Sequence, residues 1–306
     1  MRGSFRLLAI LAAVCVCPGA ALADADGSMN SSPLAGLQPY TGAIPEATAA
    51  PGESGSFRRP DGAYQAIPEV HGRTKVFHFT ERIAPWTLRP GLTVPAWTYN
   101  GVVPGPTIVV NEGDRVEIDL TNDLPVGDTL HLHGIHGDDV SMDGVAGISQ
   151  PLIAPGGGQF RYVFTAGQSG TFMYHSHGTD EMVDSGLYGG IVVEPAHPRP
   201  QERVARDYLE MISAWKIQSD AENHFTLNGK SYPATQALDV AEGEHVRIRW
   251  VNISGENDHT MHTHGHDQLI IARDAQPLDY RDIEDTVMLG PGQRVDVVVT
   301  ANAKPG

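Results

Sequence analysis

Cysteine is nearly absent from this chain of 306 residues, which contains only Cys15 and Cys17. Both lie in an N-terminal segment that resembles a secretory signal peptide. The basic residues Arg2 and Arg6 precede a short apolar run, and Ala21-Leu22-Ala23 has the small residues of a cleavage site. Cleavage there would leave a mature chain, periplasmic or secreted, with no disulfide and no thiolate ligand.

Positive charge and long apolar runs are also scarce. The chain has 21 Lys and Arg against 37 Asp and Glu, which gives a formal net charge of −16. This acidic balance argues against a nucleic-acid partner, whose phosphates require basic side chains, and favours a protein that attracts cations. The apolar run of residues 7–16 is too short to span a bilayer, so we predict no membrane anchor.

Histidine, by contrast, occurs in three His-x-His pairs. The pairs are His131 and His133, His175 and His177, and His262 and His264. Residues two apart on a strand point to the same face, so both rings of a pair can reach one metal site. Neutral imidazole suits copper, zinc, iron and nickel, and six histidines are too many for one four-coordinate zinc. The pattern therefore predicts a polynuclear metal centre on the face between two domains.

His259 requires a separate interpretation. It stands three residues before His262, and this odd spacing directs its ring to the opposite face of a strand. The ring could serve a second, separate metal. Alternatively, His259 is a loop residue that follows Gly255-Glu-Asn-Asp258, and residue type alone leaves the two interpretations open.

An internal repeat organises the rest of the chain. Val110-Asn-Glu-Gly-Asp-Arg-Val116 resembles Val240-Ala-Glu-Gly-Glu-His-Val246, and Thr129-Leu-His-Leu-His-Gly134 resembles Thr260-Met-His-Thr-His-Gly265. A period of about 130 residues indicates a duplicated domain rather than a solenoid. Short apolar runs between the 34 Gly and 22 Pro residues favour strands and turns. We therefore predict an all-β chain of two Greek-key β-sandwich domains.

The composition also suggests where these units begin and end. We expect a signal peptide (1–23), a flexible leader (24–73), a first domain (74–196), a linker (197–203) and a second domain (204–306). Aligning the two copies indicates that the second domain lacks its last strands, so that the sequence stops shortly before a fourth His-x-His pair would stand.

Several segments resemble the copper motifs of multicopper oxidases over nearly all of 75–306. The segments are His131-Leu-His-Gly134, His175-Ser-His177, His259-Thr-Met-His-Thr-His-Gly265, Tyr99-Asn-Gly-Val-Val-Pro-Gly-Pro106, Met142-Asp-Gly-Val145 with Gln150-Pro151, and Leu289-Gly-Pro-Gly-Gln-Arg294. The resemblance implies cupredoxin (plastocyanin-like) domains and a copper cofactor. It also implies a laccase-like reaction, in which a small reducing substrate such as a phenol or a metal ion is oxidised and O2 is reduced to water.

The resemblance assigns a role to each histidine of the motifs. The type 2 copper would be held by His131 and His262, the type 3 pair by His133, His175, His177 and His264, and the type 1 copper in part by His259. Asp143 matches an acid that delivers protons near the cluster. Alternatively, Asp143 is a turn residue, because Asp143-Gly144 is a common hairpin signal.

The sequence departs from the family at one motif. The final His-Cys-His is absent, and Ser176 stands between the histidines of the first domain, so the type 1 site and two type 3 histidines are expected to be missing. We expect impaired oxidase turnover from these residues alone. A non-catalytic periplasmic protein that binds or sequesters copper is the alternative. A homo-oligomer that completes the site from another chain is a third interpretation, and the electron donor stays open.

Overall fold

The structure is a computed structural model that describes residues 5–6, 64–137 and 139–303. Apart from residues 5–6, the predicted signal peptide lies outside the described residues, as do most of the predicted leader and residues 304–306. The strands of the first half are β1 (Phe5–Arg6), β2 (Glu69–His71), β3 (Thr74–Arg89), β4 (Leu92–Tyr99), β5 (Gly105–Asn111), β6 (Arg115–Asn122), β7 (Leu130–His133), β8 (Gly158–Thr165), β9 (Gly170–Ser176) and β10 (Tyr188–Glu194).

Two sheets form a β-sandwich in this half. One has the order β2-β3-β6-β8, with β4 paired to β3, and the other has the order β5-β10-β9-β7. Along β6, Val116, Ile118 and Leu120 are fully buried while the residues between them are not. This alternation confirms the half-buried strand that the sequence predicts, because successive side chains of a strand point to opposite faces. The buried face packs in the core between the sheets.

The sheet begins before Thr74. Strand β2 pairs with β3, and the backbone amide of Ala66 donates to the carbonyl of Thr107 at 2.8 Å. Residues 64–73, which the sequence places in the leader, are therefore attached to the first half. They are held through backbone hydrogen bonds, which leave no hydrophobic period in the sequence.

The second half repeats the arrangement with different edges. Its strands are β11 (Arg206–Trp215), β12 (His224–Leu227), β13 (Asp239–Val240), β14 (His245–Asn252), β15 (His259–His262), β16 (Gln268–Arg273), β17 (Gln276–Glu284), β18 (Thr286–Leu289) and β19 (Arg294–Thr300). The main sheet has the order β12-β11-β14-β19-β16-β17, β15 pairs with β18, and β13 pairs with β1.

Asn122 and Asn252 show the duplication at the level of hydrogen bonds. The side chain of Asn122 donates to the carbonyls of Val126 and Ile153, and that of Asn252 donates to the carbonyls of Asn257 and Leu289. Each amide oxygen also accepts from the backbone N–H two residues later. The match between these two residues in the sequence therefore marks the same buried turn in both halves.

Apolar side chains from both halves meet in a third buried cluster. Trp86 and Tyr188 of the first half join Leu209, Met211 and Val251 of the second. Leu209 and Met211 face this cluster, while Tyr208 and Ile212 face the core of the second half. Strand β11 is therefore buried on both faces, and it joins the halves into one body.

Helical structure in the described ranges is limited to short pieces. They are α1 (Asp180–Val183) and two 3₁₀ turns, Val140–Met142 and Pro200–Glu202. Within the described part of the chain, no helix has the length and apolar character needed to cross a membrane.

Candidate metal centre

Strands β7 and β9 bring four imidazoles together. His131 and His133 lie on β7, and His131 pairs in register with His175 on β9. His177 follows the end of β9. The ring centroid of His131 lies 5.5 Å from that of His133, 5.2 Å from that of His175 and 5.4 Å from that of His177. Two antiparallel strands thus convert two sequence pairs, 42 residues apart, into one cluster.

Three of these rings are close enough for one metal ion. Ligand nitrogens of His131, His133 and His175 lie within 4.8 Å of one another, and Nδ1 of His133 is 3.4 Å from Nε2 of His175. Metal–imidazole bonds of about 2.0–2.1 Å place neighbouring ligand nitrogens roughly 3–4 Å apart. The cluster therefore has the donor type and spacing of a metal site.

Burial keeps two of the rings neutral. Burial, together with the nearby charge of Arg294, lowers the pKa of His133 to about 4. Burial also lowers the pKa of His175 to about 3. A neutral imidazole retains the lone pair that a metal requires, so these ligands are ready for a metal at neutral pH.

A backbone carbonyl orients His131. Its Nδ1 lies 2.6 Å from the carbonyl oxygen of Asp143 and 3.6 Å from the carboxylate of the same residue. Because a carbonyl only accepts, Nδ1 carries the proton, and Nε2 is left free for a metal. Asp143 ends the 3₁₀ turn Val140–Met142 with a half-exposed side chain. The predicted acid therefore lies beside the cluster, at a turn.

His262 in the second half is oriented in the same way. Its Nδ1 lies 2.9 Å from the carbonyl oxygen of Asp285 and 3.4 Å from its carboxylate, and its ring centroid is 4.8 Å from that of His264. Asp285 was not predicted from the sequence, because no local period relates it to His262, 23 residues away.

The second half approaches the first-half cluster at Gly292, where a Cβ atom would lie 2.9 Å from Cε1 of His133. Among the described residues, the only group of three metal-ligand side chains within 4.8 Å of one another is that of His131, His133 and His175. Neither His262 nor His264 belongs to that group, and the six-histidine centre stays a prediction.

His259 lies apart from the other ligand candidates. Its Nε2 is 2.8 Å from the hydroxyl of Ser254, and its ring packs edge-on against Phe225 at 5.6 Å. Burial lowers its pKa. No cysteine occurs among the described residues, so nothing in them supplies a thiolate to this buried imidazole.

Paired imidazoles on neighbouring antiparallel strands of one sheet in a β-sandwich define a cupredoxin-like metalloprotein. Models of the multicopper oxidase family match residues 82–198 and 199–306. The chain belongs to the multicopper oxidase family.

Relatives and solved structures agree with this assignment. Laccase-2 of Botryotinia fuckeliana is 31% identical over an alignment of 300 residues, gaps included, that covers 89% of this chain and 51% of that protein. Laccase-1 of Melanocarpus albomyces is 31% identical over 67% of this chain and 36% of its own length. The chain thus spans about half or less of these curated relatives.

Two solved structures share the fold, and each match covers about the same fraction of this chain as of the other. The blue copper oxidase from Nitrosomonas europaea is 35% identical with a TM-score of 0.72, covering 76% of this chain and 76% of that one. The multicopper oxidase mgLAC is 37% identical with a TM-score of 0.72, covering 76% and 77%. The two-sandwich architecture is therefore that of multicopper oxidases.

Proposed function

We propose that this protein binds copper and takes part in the oxidation of a small donor coupled to the reduction of O2. The cluster of His131, His133, His175 and His177 carries the proposal, because neutral imidazoles in contact are the donors that copper favours. Copper, when bound, would supply one-electron oxidation of the donor and the electrons for O2. The donor class, whether a phenol or a metal ion, is left open.

The proposed division of the ligands follows the family motifs. His131 and His262 would hold the type 2 copper; His133, His175, His177 and His264 would hold the type 3 pair; and His259 would be one ligand of the type 1 copper. In both His131 and His262, Nδ1 lies against a backbone carbonyl. This shared geometry supports the assignment of both residues to the type 2 copper. A homo-oligomer is an arrangement in which another chain could complete the site.

Asp143 is proposed to deliver protons to the site. Reduction of O2 consumes protons, and a half-exposed carboxylate 3.6 Å from His131 connects solvent to the cluster. Its backbone N–H closes the 3₁₀ turn at the same time by donating to the carbonyl of Val140. The two interpretations offered by the sequence are thus compatible in one residue.

The missing thiolate limits what these residues can do alone. A blue type 1 copper requires a cysteine sulfur, and the sequence has no cysteine after Cys17. We infer that turnover by these 306 residues alone is impaired. That deficit favours a second candidate function, a periplasmic or secreted protein that binds or sequesters copper without catalysis. The net charge of −16 would attract the ion in either case.

Copper loading separates the two candidates. The full chain is loaded with copper, and its copper content, electron paramagnetic resonance spectrum and O2 uptake with phenolic or cuprous donors are measured. Three or more coppers per chain with O2 uptake favour the oxidase, whereas one or two coppers without O2 uptake favour the binder. Protein that takes up no copper contradicts both, and an intense blue copper–thiolate band contradicts the inference of an incomplete type 1 site.

A further inference from the structure

Asp128 occupies the position in the first half that His259 occupies in the second. Each stands three residues before the first histidine of a pair, His131 or His262, in segments that the internal repeat aligns. Asp128 is fully buried. The duplicated fold therefore has an oxygen donor where the second half has a buried imidazole.

Asp128 binds Ser176, the residue between the metal-ligand candidates His175 and His177. The hydroxyl of Ser176 donates to Oδ1 of Asp128 at 2.8 Å, and the backbone N–H of Thr129 donates to the same oxygen at 2.7 Å. The carbonyl of Thr129 accepts from the N–H of His177 at 2.9 Å. One carboxylate thus ties the start of β7 to the His175-Ser-His177 segment.

A second buried carboxyl group adjoins Asp128. Glu81 on β3 is also fully buried, and Tyr99 on β4 is its partner in register. Within the described part of the chain, both oxygens of Glu81, Oδ2 of Asp128 and the hydroxyl of Tyr99 have no partner of full hydrogen-bond geometry. An unsatisfied buried polar group costs about 1–3 kcal/mol, and a charged one more. Two facing ionised carboxylates would be the least favourable state of this site.

The surroundings offer no cation to offset that charge. Among the described residues, no lysine, arginine or histidine forms an ion pair with either carboxyl group. Burial and the charge of Asp128 raise the pKa of Glu81 well above its usual value, and burial raises the pKa of Asp128 to about 6. The other titratable groups that face the pair are the phenols of Tyr99 and Tyr162, whose pKa values are raised by burial.

We propose that Glu81 and Asp128 share one proton and act as a positioning pair for His175 and His177. The proton lies between Glu81 and Oδ2 of Asp128, so both carboxyl groups are satisfied and one negative charge remains. Oδ1 of Asp128 then keeps the full acceptor strength that orients Ser176. The positioning role rests on the proposed copper function, whereas the shared proton does not.

Infrared spectroscopy of the metal-free full chain tests the shared proton. A carbonyl stretching band of a protonated carboxylic acid is expected at neutral pH, with a shift in heavy water. In a Glu210→Gln background, which removes another buried carboxyl group with a pKa raised to about 8, Glu81→Gln should abolish the band and Asp128→Asn should shift or abolish it. The exposed Glu242→Gln should leave it intact in the same background. Absence of the band from the unmodified protein, or its persistence unchanged in both buried variants, would overturn the proposal. If Glu81→Gln fails to fold, the unmodified protein and Asp128→Asn carry the test.

Copper titration tests the positioning role. Ser176→Ala and Asp128→Asn should each weaken copper binding by about 10–100-fold, as losses of groups that orient ligands do. They should also change the paramagnetic spectrum of the bound copper, whereas Glu242→Gln should change neither. Unchanged affinity and spectrum in Ser176→Ala would refute the role. Protein that shows the infrared band but binds no copper would instead refute the proposed function.

Discussion

Two backbone carbonyls decide which ring nitrogen of His131 and His262 is available to a metal. The carbonyl of Asp143 is 12 residues from the first histidine, and that of Asp285 is 23 residues from the second. The sequence pairs predict the ligands, because the period of a strand is local. The orienting carbonyls could not be predicted from the internal repeat, since they come from loops of different length.

His133 is the residue whose loss should most weaken the metal site. His133→Ala removes one of three imidazoles that lie within a single coordination distance, and we expect copper affinity to fall by at least about 10-fold. Competition with a copper chelator measures the change. His245→Ala, an exposed histidine bonded to Thr300, is the matched control. Equal affinity of the two variants would contradict the cluster as the binding site.

Glu210 should make the stability of the second half depend on pH. It is buried at the position between Tyr208 and Ile212, which face the core, and burial raises its pKa to about 8. The folded state therefore holds a proton that the unfolded state releases near pH 4.5. Stability from this group is complete below that pH and is lost as the pH rises through about 8.

Glu210→Gln removes this dependence. Denaturant unfolding at pH 5 and pH 8 should show the unmodified protein losing on the order of a few kcal/mol that the variant retains. Glu242→Gln, at an exposed site, should follow the unmodified protein. A variant with the same pH dependence as the unmodified protein would place the titrating group elsewhere.

At the level of elements, the turn after the 3₁₀ segment Val140–Met142 fixes the position of β7. Gly144 has a φ of +78°, and a Cβ there would overlap the backbone carbonyl of Leu130. Gly147 has a φ of +74° with no atom within 4 Å of its Cβ position. The two glycines therefore share a backbone conformation but differ in the space around them.

This difference gives a matched pair of substitutions. Gly147→Ala should cost about 1–2 kcal/mol from its left-handed backbone alone. Gly144→Ala should cost about 1–3 kcal/mol more, because β7 must move away from the turn, and it should also weaken copper binding. Denaturant unfolding and copper titration measure both effects. Equal losses of stability would show that the close approach of Gly144 to Leu130 is unimportant.

The ends of β3 show why strand lengths were harder to predict than strand positions. The alternation in Lys75–Thr80 predicts a strand there, and the structure extends it to Arg89. Beyond Glu81 the strand forms a hairpin with β4 and buries Trp86 and Leu88 against the second half. A segment that packs on a neighbouring unit as well as its own sheet loses the simple period of two.

For the whole molecule, a buried network around Arg249 joins the halves. Its guanidinium donates to Asp207 on β11, to Asp296 on β19 and, across the boundary, to Thr171 and Glu194 of the first half. Such a group is costly to bury and is satisfied only when every acceptor is in place. This side chain is therefore one of the contacts that set the relative position of the two sandwiches, beside the apolar cluster on β11.

Arg249→Met should destabilise the protein by about 3–5 kcal/mol, because it leaves buried carboxylates without their partner. The exposed Arg161→Met should have a far smaller effect, since its pairs with Asp119 and Glu117 lie in solvent. Thermal unfolding followed by calorimetry measures both. A loss of stability in Arg249→Met no larger than that in Arg161→Met would show that the network does not hold the halves together.

The all-β class, the duplicated sandwich and the identity of the imidazoles could be predicted from the sequence, because strand alternation, repeat and residue type are local properties. Which imidazoles meet depends on strand pairing. The pairing of β7 with β9 brings His131 and His133 to His175 and His177, whereas His262 ends a strand of a separate two-stranded sheet and His264 follows that strand. The orienting carbonyls and the Glu81–Asp128 pair likewise depend on the tertiary structure, since these contacts join residues distant in the chain that no periodicity relates.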